Sequence, residues 1–240
     1  TLPPTHGSTN FDGSLLSVTN TNTTAGFSIV TYTSNGGDHT VGHGLKNADG
    51  LGVAPKMFWL KDRDDTGSWY VYNEDNGANK YQKLDDTIQA ITQTSVWQNT
   101  APTTIAPFVF YVGGSVLGLA NNTKCVAYCF TDIEGYSKIG KYTGNGDPGG
   151  DGVFVFLGFR PAFIIYKRTD TTGNWLIDDD VTQAFNPDSN YLVADTSDQQ
   201  GDTTTNTAGH AFDMYSNGFK MRNSNSARNA SGGTFIYMAF

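Results

Sequence analysis

The chain is poor in several things that large classes of protein depend on. Only two of its 240 residues are cysteine and only 16% are charged. Cys125 and Cys129 sit in Lys124-Cys-Val-Ala-Tyr-Cys-Phe130. Read as a strand, this puts their Cα atoms about 13 Å apart at ~3.3 Å per residue, beyond the reach of a disulfide. Two free, buried thiols are expected, with no disulfide framework of the kind small secreted domains use. No basic stripe interrupts a formal net charge of −8, so a phosphate-binding face for nucleic acid is not expected. No apolar run approaches the roughly 20 residues that span a bilayer, and no basic segment followed by an apolar one opens the chain. Neither membrane insertion nor a signal peptide is expected. The start at Thr1 without Met and the stop at Phe240 inside a strand-like segment suggest a fragment or processed product. Leu, Ala, Glu and Lys are too few for long amphipathic helices.

What the chain has is glycine (28 residues), aromatics (13%) and much Thr and Asn, a mixture that suits short strands joined by many turns. The aromatic and β-branched content is ample for a buried core.

An internal repeat organises it. Pro55, Lys61, Thr66, Gly67 and Trp69 recur as Pro161, Lys167, Thr172, Gly173 and Trp175, 106 residues later each time. Ile29-Val-Thr-Tyr-Thr-Ser-Asn-Gly36 matches Ile139-Gly-Lys-Tyr-Thr-Gly-Asn-Gly146 at 110, and Val126-Ala-Tyr-Cys-Phe130 faces Ile236-Tyr-Met-Ala-Phe240 at the same distance. The change of register fits extra residues near Lys46-Asn-Ala-Asp-Gly-Leu-Gly52. Tyr-Thr-x-Asn-Gly reads as a strand entering a turn. Pro-Lys-Met-Phe-Trp-Leu-Lys and Pro-Ala-Phe-Ile-Ile-Tyr-Lys read as central strands, and Thr-Gly-x-Trp as the turn of a hairpin. Seven to nine strands per copy, 8–12 residues apart, give an all-β chain: two tandem homologous antiparallel β-sandwich, jelly-roll-like units over 27–135 and 136–240. Residues 1–26, rich in Thr, Asn and Ser without apolar period, read as a linker or N-terminal arm. The one helical hint lies around Asp85 to Gln93.

Blocks such as Gly26-Phe-Ser-Ile-Val-Thr-Tyr-Thr33, Val53-Ala-Pro-Lys-Met57, Gly158-Phe-Arg-Pro-Ala162, Thr172-Gly-Asn-Trp-Leu-Ile177 and Ser231-Gly-Gly-Thr-Phe-Ile-Tyr-Met-Ala-Phe240 resemble a C-terminal tandem domain of marine tailed-phage structural or tail-fibre-like proteins, over roughly residues 26–240. The resemblance implies a virion protein made in the host cytoplasm, a fibre, appendage or particle-surface module in contact with other virion proteins and a host surface glycan or receptor. It carries no catalytic residues with it. The insertion Lys46–Gly50 departs from the family's direct Gly-Leu-Gly-Val-Ala-Pro run. Symmetric assembly, often trimeric in fibres, is the general expectation for such proteins.

Candidate sites divide into matched and unmatched residues. Trp69 and Trp175 recur in both copies, so packing explains them. Unmatched aromatics and polar residues, Trp97, Tyr70, Tyr72, His39 and His43, are the candidate ligand contacts, because function on a duplicated scaffold sits in loops. His39 and His43 lack the third ligand a zinc site would need. Asp62/Asp64/Asp65, Asp178-Asp-Asp180 and Asp147/Asp151 are loop carboxylates of the type that take Ca²⁺, though without EF-hand spacing, and solvated turns are the default reading. No cofactor is otherwise expected. Gly144-Asn-Gly-Asp-Pro-Gly149 matches a dinucleotide pattern but precedes a strand, so it reads as a hairpin loop. No nucleophile elbow or Cys–His arrangement is present, so no catalytic residue is assigned and the protein is expected not to be an enzyme. The leading expectation is host-surface adhesion. A bracing or capsid-decoration element without ligand is the alternative, and a polysaccharide depolymerase the third. The unmatched stretches His39–Gly52, Asn73–Lys80 and Ala184–Gly209 are where function is expected.

Overall fold

The computed structural model describes residues 7–98, 100, 107–147, 151–182, 185–202 and 212–240. The described residues form nineteen strands, all paired antiparallel, one short 3-10 turn at Glu74–Asn76 and no α-helix. They divide into two compact units, one comprising 1–83 and 91–133 and the other 84–90 and 134–240.

In unit 1 the strands are β1 (Ser8–Asn10), β2 (Ser17–Asn22), β3 (Phe27–Asn35), β4 (Asp38–Gly42), β5 (Met57–Asp62), β6 (Tyr70–Asn73), β7 (Lys80–Lys83), β8 (Ile91–Thr92), β9 (Val109–Gly113) and β10 (Asn121–Phe130). Eight form one sheet in the order β1-β2-β3-β10-β5-β6-β7-β8, and β4 pairs with β9 in a second. Alternation explains the packing. Along β3, Val30 and Tyr32 point inward, as do Phe58 and Leu60 on β5, and they meet Val41, Phe110 and Val112 of the small sheet in one core.

Unit 2 repeats this with β11 (Lys138–Thr143), β12 (Phe154–Phe156), β13 (Phe163–Arg168), β14 (Trp175–Asp179), β15 (Asn190–Val193), β16 (Gly201–Asp202), β17 (Phe212–Tyr215), β18 (Gly218–Met221) and β19 (Thr234–Ala239). The large sheet runs β11-β19-β13-β14-β15-β16, the same order as β3-β10-β5-β6-β7-β8, and β12-β18-β17 forms the small sheet. The repeat also extends further than the matched motifs. Tyr81 pairs with Ile91 and Tyr191 with Gly201, so β7–β8 and β15–β16 are equivalent at the 110 register. One matched pair shows what the repeat conserves: Lys61 Nζ donates to the Gly67 carbonyl at 2.6 Å, and Lys167 Nζ donates to the Gly173 carbonyl. The lysine closing the first hairpin strand ties down the turn that follows.

Two expectations are corrected. Residues 7–26 are not a linker: β1 and β2 add to the edge of β3, with Ser17↔Tyr32 to Asn22↔Phe27 in register. An edge strand half open to solvent needs few apolar residues, which is why a Ser/Thr/Asn segment could hide two strands. The segment Asp85–Gln93 is not helical. Ile91–Thr92 is β8, and 84–90 runs along unit 2, where Ala90 N donates to Thr169 O and Gly173 N to Thr87 O. Cys125 and Cys129 are free and wholly buried. No helix among the described residues is long and apolar enough to cross a membrane.

Candidate functional site

The proposed ligand contacts of unit 1 lie inside its core. Trp97, Tyr72 and His43 are 0% exposed and His39 2%. Phe58 stacks on Tyr72 at 4.8 Å and meets Trp97 edge-on at 4.9 Å, and the Trp97 indole donates to the Lys80 carbonyl. Tyr70 is half-buried and donates to Leu117 O. These side chains pack the molecule, and a ligand at the surface does not reach the four buried ones. The structure does not bring the five together as a surface. The acidic clusters act as turn caps and ion-pair partners: Asp62 accepts from Asp64 N, Asp64 from Lys124 N, Asp147 from Asp151 N, and Asp180 pairs with Arg160. Among the described residues no group of three or more His, Cys, Asp or Glu could hold a metal ion. Pro148 and Gly149 of the Gly144–Gly149 pattern lie outside the described residues.

A different site emerges in unit 2. A cleft of about 460 Å³ opens between the β13–β14 turn (Thr172, Gly173, Asn174), strands β14 and β15 (Leu176, Tyr191, Val193), Asp198, the 84–90 segment (Thr87) and the loop Asn225–Arg228. This is within the usual size for a small-ligand site. The Asn225–Arg228 loop is held from both ends. Ala227 N donates to Asn225 Oδ1, Arg168 Nη1 donates to Ser226 O, and Asn229 Nδ2 donates to Asn223 O.

Behind the cleft lies a buried charge. Arg228, 2% exposed, donates from Nη1 to both oxygens of Asp178 at 3.0 and 3.2 Å, and also to the Tyr166 hydroxyl. Its guanidinium is flanked by Tyr166 at 5.5 Å and Tyr191 at 4.7 Å from the ring centres, a cation–π arrangement on both rings. Tyr142 donates to the Arg228 carbonyl. Asp178, 1% exposed, is pushed up by burial with Arg228 opposing, while its carboxylate helps hold Arg228 charged. Contact of the guanidinium with both carboxylate oxygens favours the ionised pair. Nearby Asp188, 2% exposed, is pushed up to about 7 by burial, with the Asp178 charge adding to it. Arg228 Nη2 and Asp188 Oδ2 are buried with no hydrogen-bond partner among the described residues. Each retains unused capacity for a polar contact.

Tyr191 is seated by a close approach. A Cβ on Gly201, its cross-strand partner, would lie 2.2 Å from the Tyr191 Cζ. Only glycine lets the ring lie over that backbone.

The duplication supplies an internal control. At the 106 register Tyr166 and Asp178 correspond to Leu60 and Tyr72. The loop that carries Arg228 corresponds to one carrying the buried Leu117 and Leu119. Unit 1 builds the same fold with an apolar core there. A buried ion pair costs desolvation and is often no better for stability than apolar packing, so the fold alone does not call for this one. Sequence reasoning placed Asp178 in an acidic turn and passed over Arg228, Tyr166 and Tyr191. The signal was the mismatch between copies at Leu60/Tyr166 and Tyr72/Asp178.

An aromatic ring backed by a fixed cation, with Asn174, Asn225, Thr172 and Asp198 around it, offers a stacking surface and a rim of short donors and acceptors. Such a surface suits a polyhydroxylated ring. Fold and cleft together define a tandem β-sandwich protein whose unit 2 holds a preformed polar cleft. A family model described as a domain of unknown function (DUF7483) matches residues 4–240, and the chain belongs to that family. No curated protein and no solved structure matches it.

Proposed function

We propose that this chain is a non-catalytic adhesion module of a virion structural protein, and that the cleft of unit 2 binds a host-surface glycan. The virion setting rests on the sequence resemblance. The binding reading rests on one observation: a rigid tyrosine, backed by a buried arginine, lines a polar cleft in the copy that departs from its apolar twin. Tyr191 would stack on the sugar ring, and the Asn174 and Asn225 amides would read its hydroxyls.

The test is a host envelope glycan array followed by calorimetry on any positive. Binding that Tyr191→Ala weakens at least tenfold, with unit 2 still folded by circular dichroism, supports the reading. No binding to host glycans, or binding indifferent to Tyr191, rejects it. Incubating the protein with host polysaccharide separates adhesion from depolymerisation, because release of oligosaccharides would reject the non-catalytic reading.

A further inference from the structure

The small sheets of the two units differ at one edge. In unit 1, β4 is covered. Leu15 N donates to Thr40 O at 3.2 Å, Ser17 Oγ donates to Gly42 O at 2.8 Å, and Leu15 bridges Val41 in parallel. The equivalent strand of unit 2 is β12, since Val41 faces the buried Phe110 across its sheet and Val155 faces the buried Phe219. Among the described residues β12 pairs only with β18. Val153 O accepts from Met221 N and Leu157 N donates to Asn217 O, both at 2.9 Å. Residues 153, 155 and 157 therefore direct their main-chain groups toward β18, and those of Phe154 and Phe156 point at the opposite edge, which has no partner strand among the described residues. Lys138 Nζ reaches one of these groups, the Phe156 carbonyl, at 3.2 Å. On the outer face Phe154 and Phe156 are 44% and 59% exposed, and Tyr215, 38% exposed, meets Phe154 edge-on at 5.9 Å. Exposed aromatics grouped beside a strand edge that has no partner strand among the described residues mark an interaction surface.

We propose that this surface takes a second copy of the chain, with β12 pairing antiparallel to itself about a twofold axis at Val155 and joining two three-stranded sheets into one of six strands. The sequence points to self-pairing. Val153-Phe-Val-Phe-Leu157 reads almost the same in both directions, so Phe154 of one copy falls opposite Phe156 of the other, as an isologous contact requires. Main-chain bonds form at both Phe154–Phe156 pairs. The Phe156 carbonyl has two lone pairs, so Lys138 need not leave. The exposed parts of the three aromatics amount to roughly 300 Å² per copy, well under the ~800 Å² per partner of a stable complex. The association is therefore weak, with Kd of about 10⁻⁵ to 10⁻⁴ M, and it becomes effective where copies are concentrated on one particle. This inference is independent of the glycan reading, since the cleft lies elsewhere in unit 2.

Sedimentation equilibrium of the full chain across that concentration range tests it. A monomer–dimer equilibrium is expected, with self-association at least tenfold weaker in Phe154→Lys/Phe156→Lys and an unchanged far-ultraviolet circular dichroism spectrum. Oxidative cross-linking reads the register. Phe154→Cys mixed with Phe156→Cys should form an intermolecular disulfide, and neither variant alone should, because like positions lie beyond disulfide reach. Cys125 and Cys129 are buried and stay out of the reaction. A monomer at every concentration, a dimer untouched by the lysine pair, or cross-links in a single-variant sample would each overturn the proposal. The first result would make Lys138 the guard of an edge kept open.

Discussion

The buried pair of Arg228 and Asp178 makes a prediction that the unit 1 core lets us calibrate. Asp178→Leu removes the only carboxylate within hydrogen-bond distance of Arg228 Nη1 among the described residues and leaves the guanidinium charged at 2% exposure. Breaking a buried pair from one side costs about 3–5 kcal/mol. Arg228→Met alone should cost somewhat less at neutral pH, about 2–3 kcal/mol, because burial already raises the Asp178 carboxyl and protonation offers it an escape. The double variant Asp178→Leu/Arg228→Met removes both charges at positions whose unit 1 counterparts are apolar or aromatic, Tyr72 and the Leu117–Leu119 loop. Its cost should fall below about 1.5 kcal/mol, giving a favourable coupling of several kcal/mol in the cycle. Hydrogen exchange of peptides from β13 and β14 under mild denaturant reads unit 2 directly, so unfolding of unit 1 does not confuse the result. If the double variant costs as much as the two singles together, the pair is an integral part of this fold and the inference from the apolar twin fails. If Asp178→Leu costs under about 1 kcal/mol, Arg228 is not desolvated as the structure has it. Glycan binding by the double variant is a second readout: it should weaken even where stability is kept, since Tyr191 loses the cation behind its ring.

Other consequences follow from single features. Asp188 has its folded pKa raised to about 7 from an unfolded value near 3.9, so its contribution to stability is fully present below about pH 4 and is lost as pH rises to 7. Asp188→Asn removes that slope. Its urea midpoint should draw level with or pass the parent as pH climbs from 4 to 7, with a relative gain on the order of 3 kcal/mol, and a parallel pH profile for the two proteins would contradict the burial. Gly201→Ala places a methyl 2.2 Å from the Tyr191 Cζ and should cut glycan affinity at least tenfold with a smaller effect on melting temperature, checked by calorimetry and thermal denaturation. Burial pushes the Cys125 thiol up to about 11 and the Cys129 thiol higher still, so a thiol reagent at pH 8 should find neither in the native protein and both in urea.

The duplication was legible because hairpin geometry needs particular residues: a proline before the strand, a lysine to hold the turn, and Thr-Gly before a tryptophan. Those choices recur as words in the sequence, and they fixed the all-β class and the paired sandwich units. What escaped notice has physical reasons. β1 and β2 are polar edge strands whose partner is β3, so their strand character lies in pairing and not in apolar alternation. Trp97 and Tyr72 looked free because no counterpart matched them, yet a core can replace its contents while keeping its volume. Unit 1 fills with aromatic rings the region that unit 2 fills with an ion pair and tyrosines.

The same substitution explains why the site was hidden. Arg228 and Asp178 are 50 residues apart in sequence, and only the fold of unit 2 closes that distance. Neither half of the pair is stable in such surroundings without the other, so their joint presence is informative where either alone is not. A core that could be apolar, as its twin is, carries a paired charge beneath a tyrosine at the mouth of a cleft. Selection for stability alone gives no reason to keep that charge, whereas a need to fix the Tyr191 ring against a ligand does.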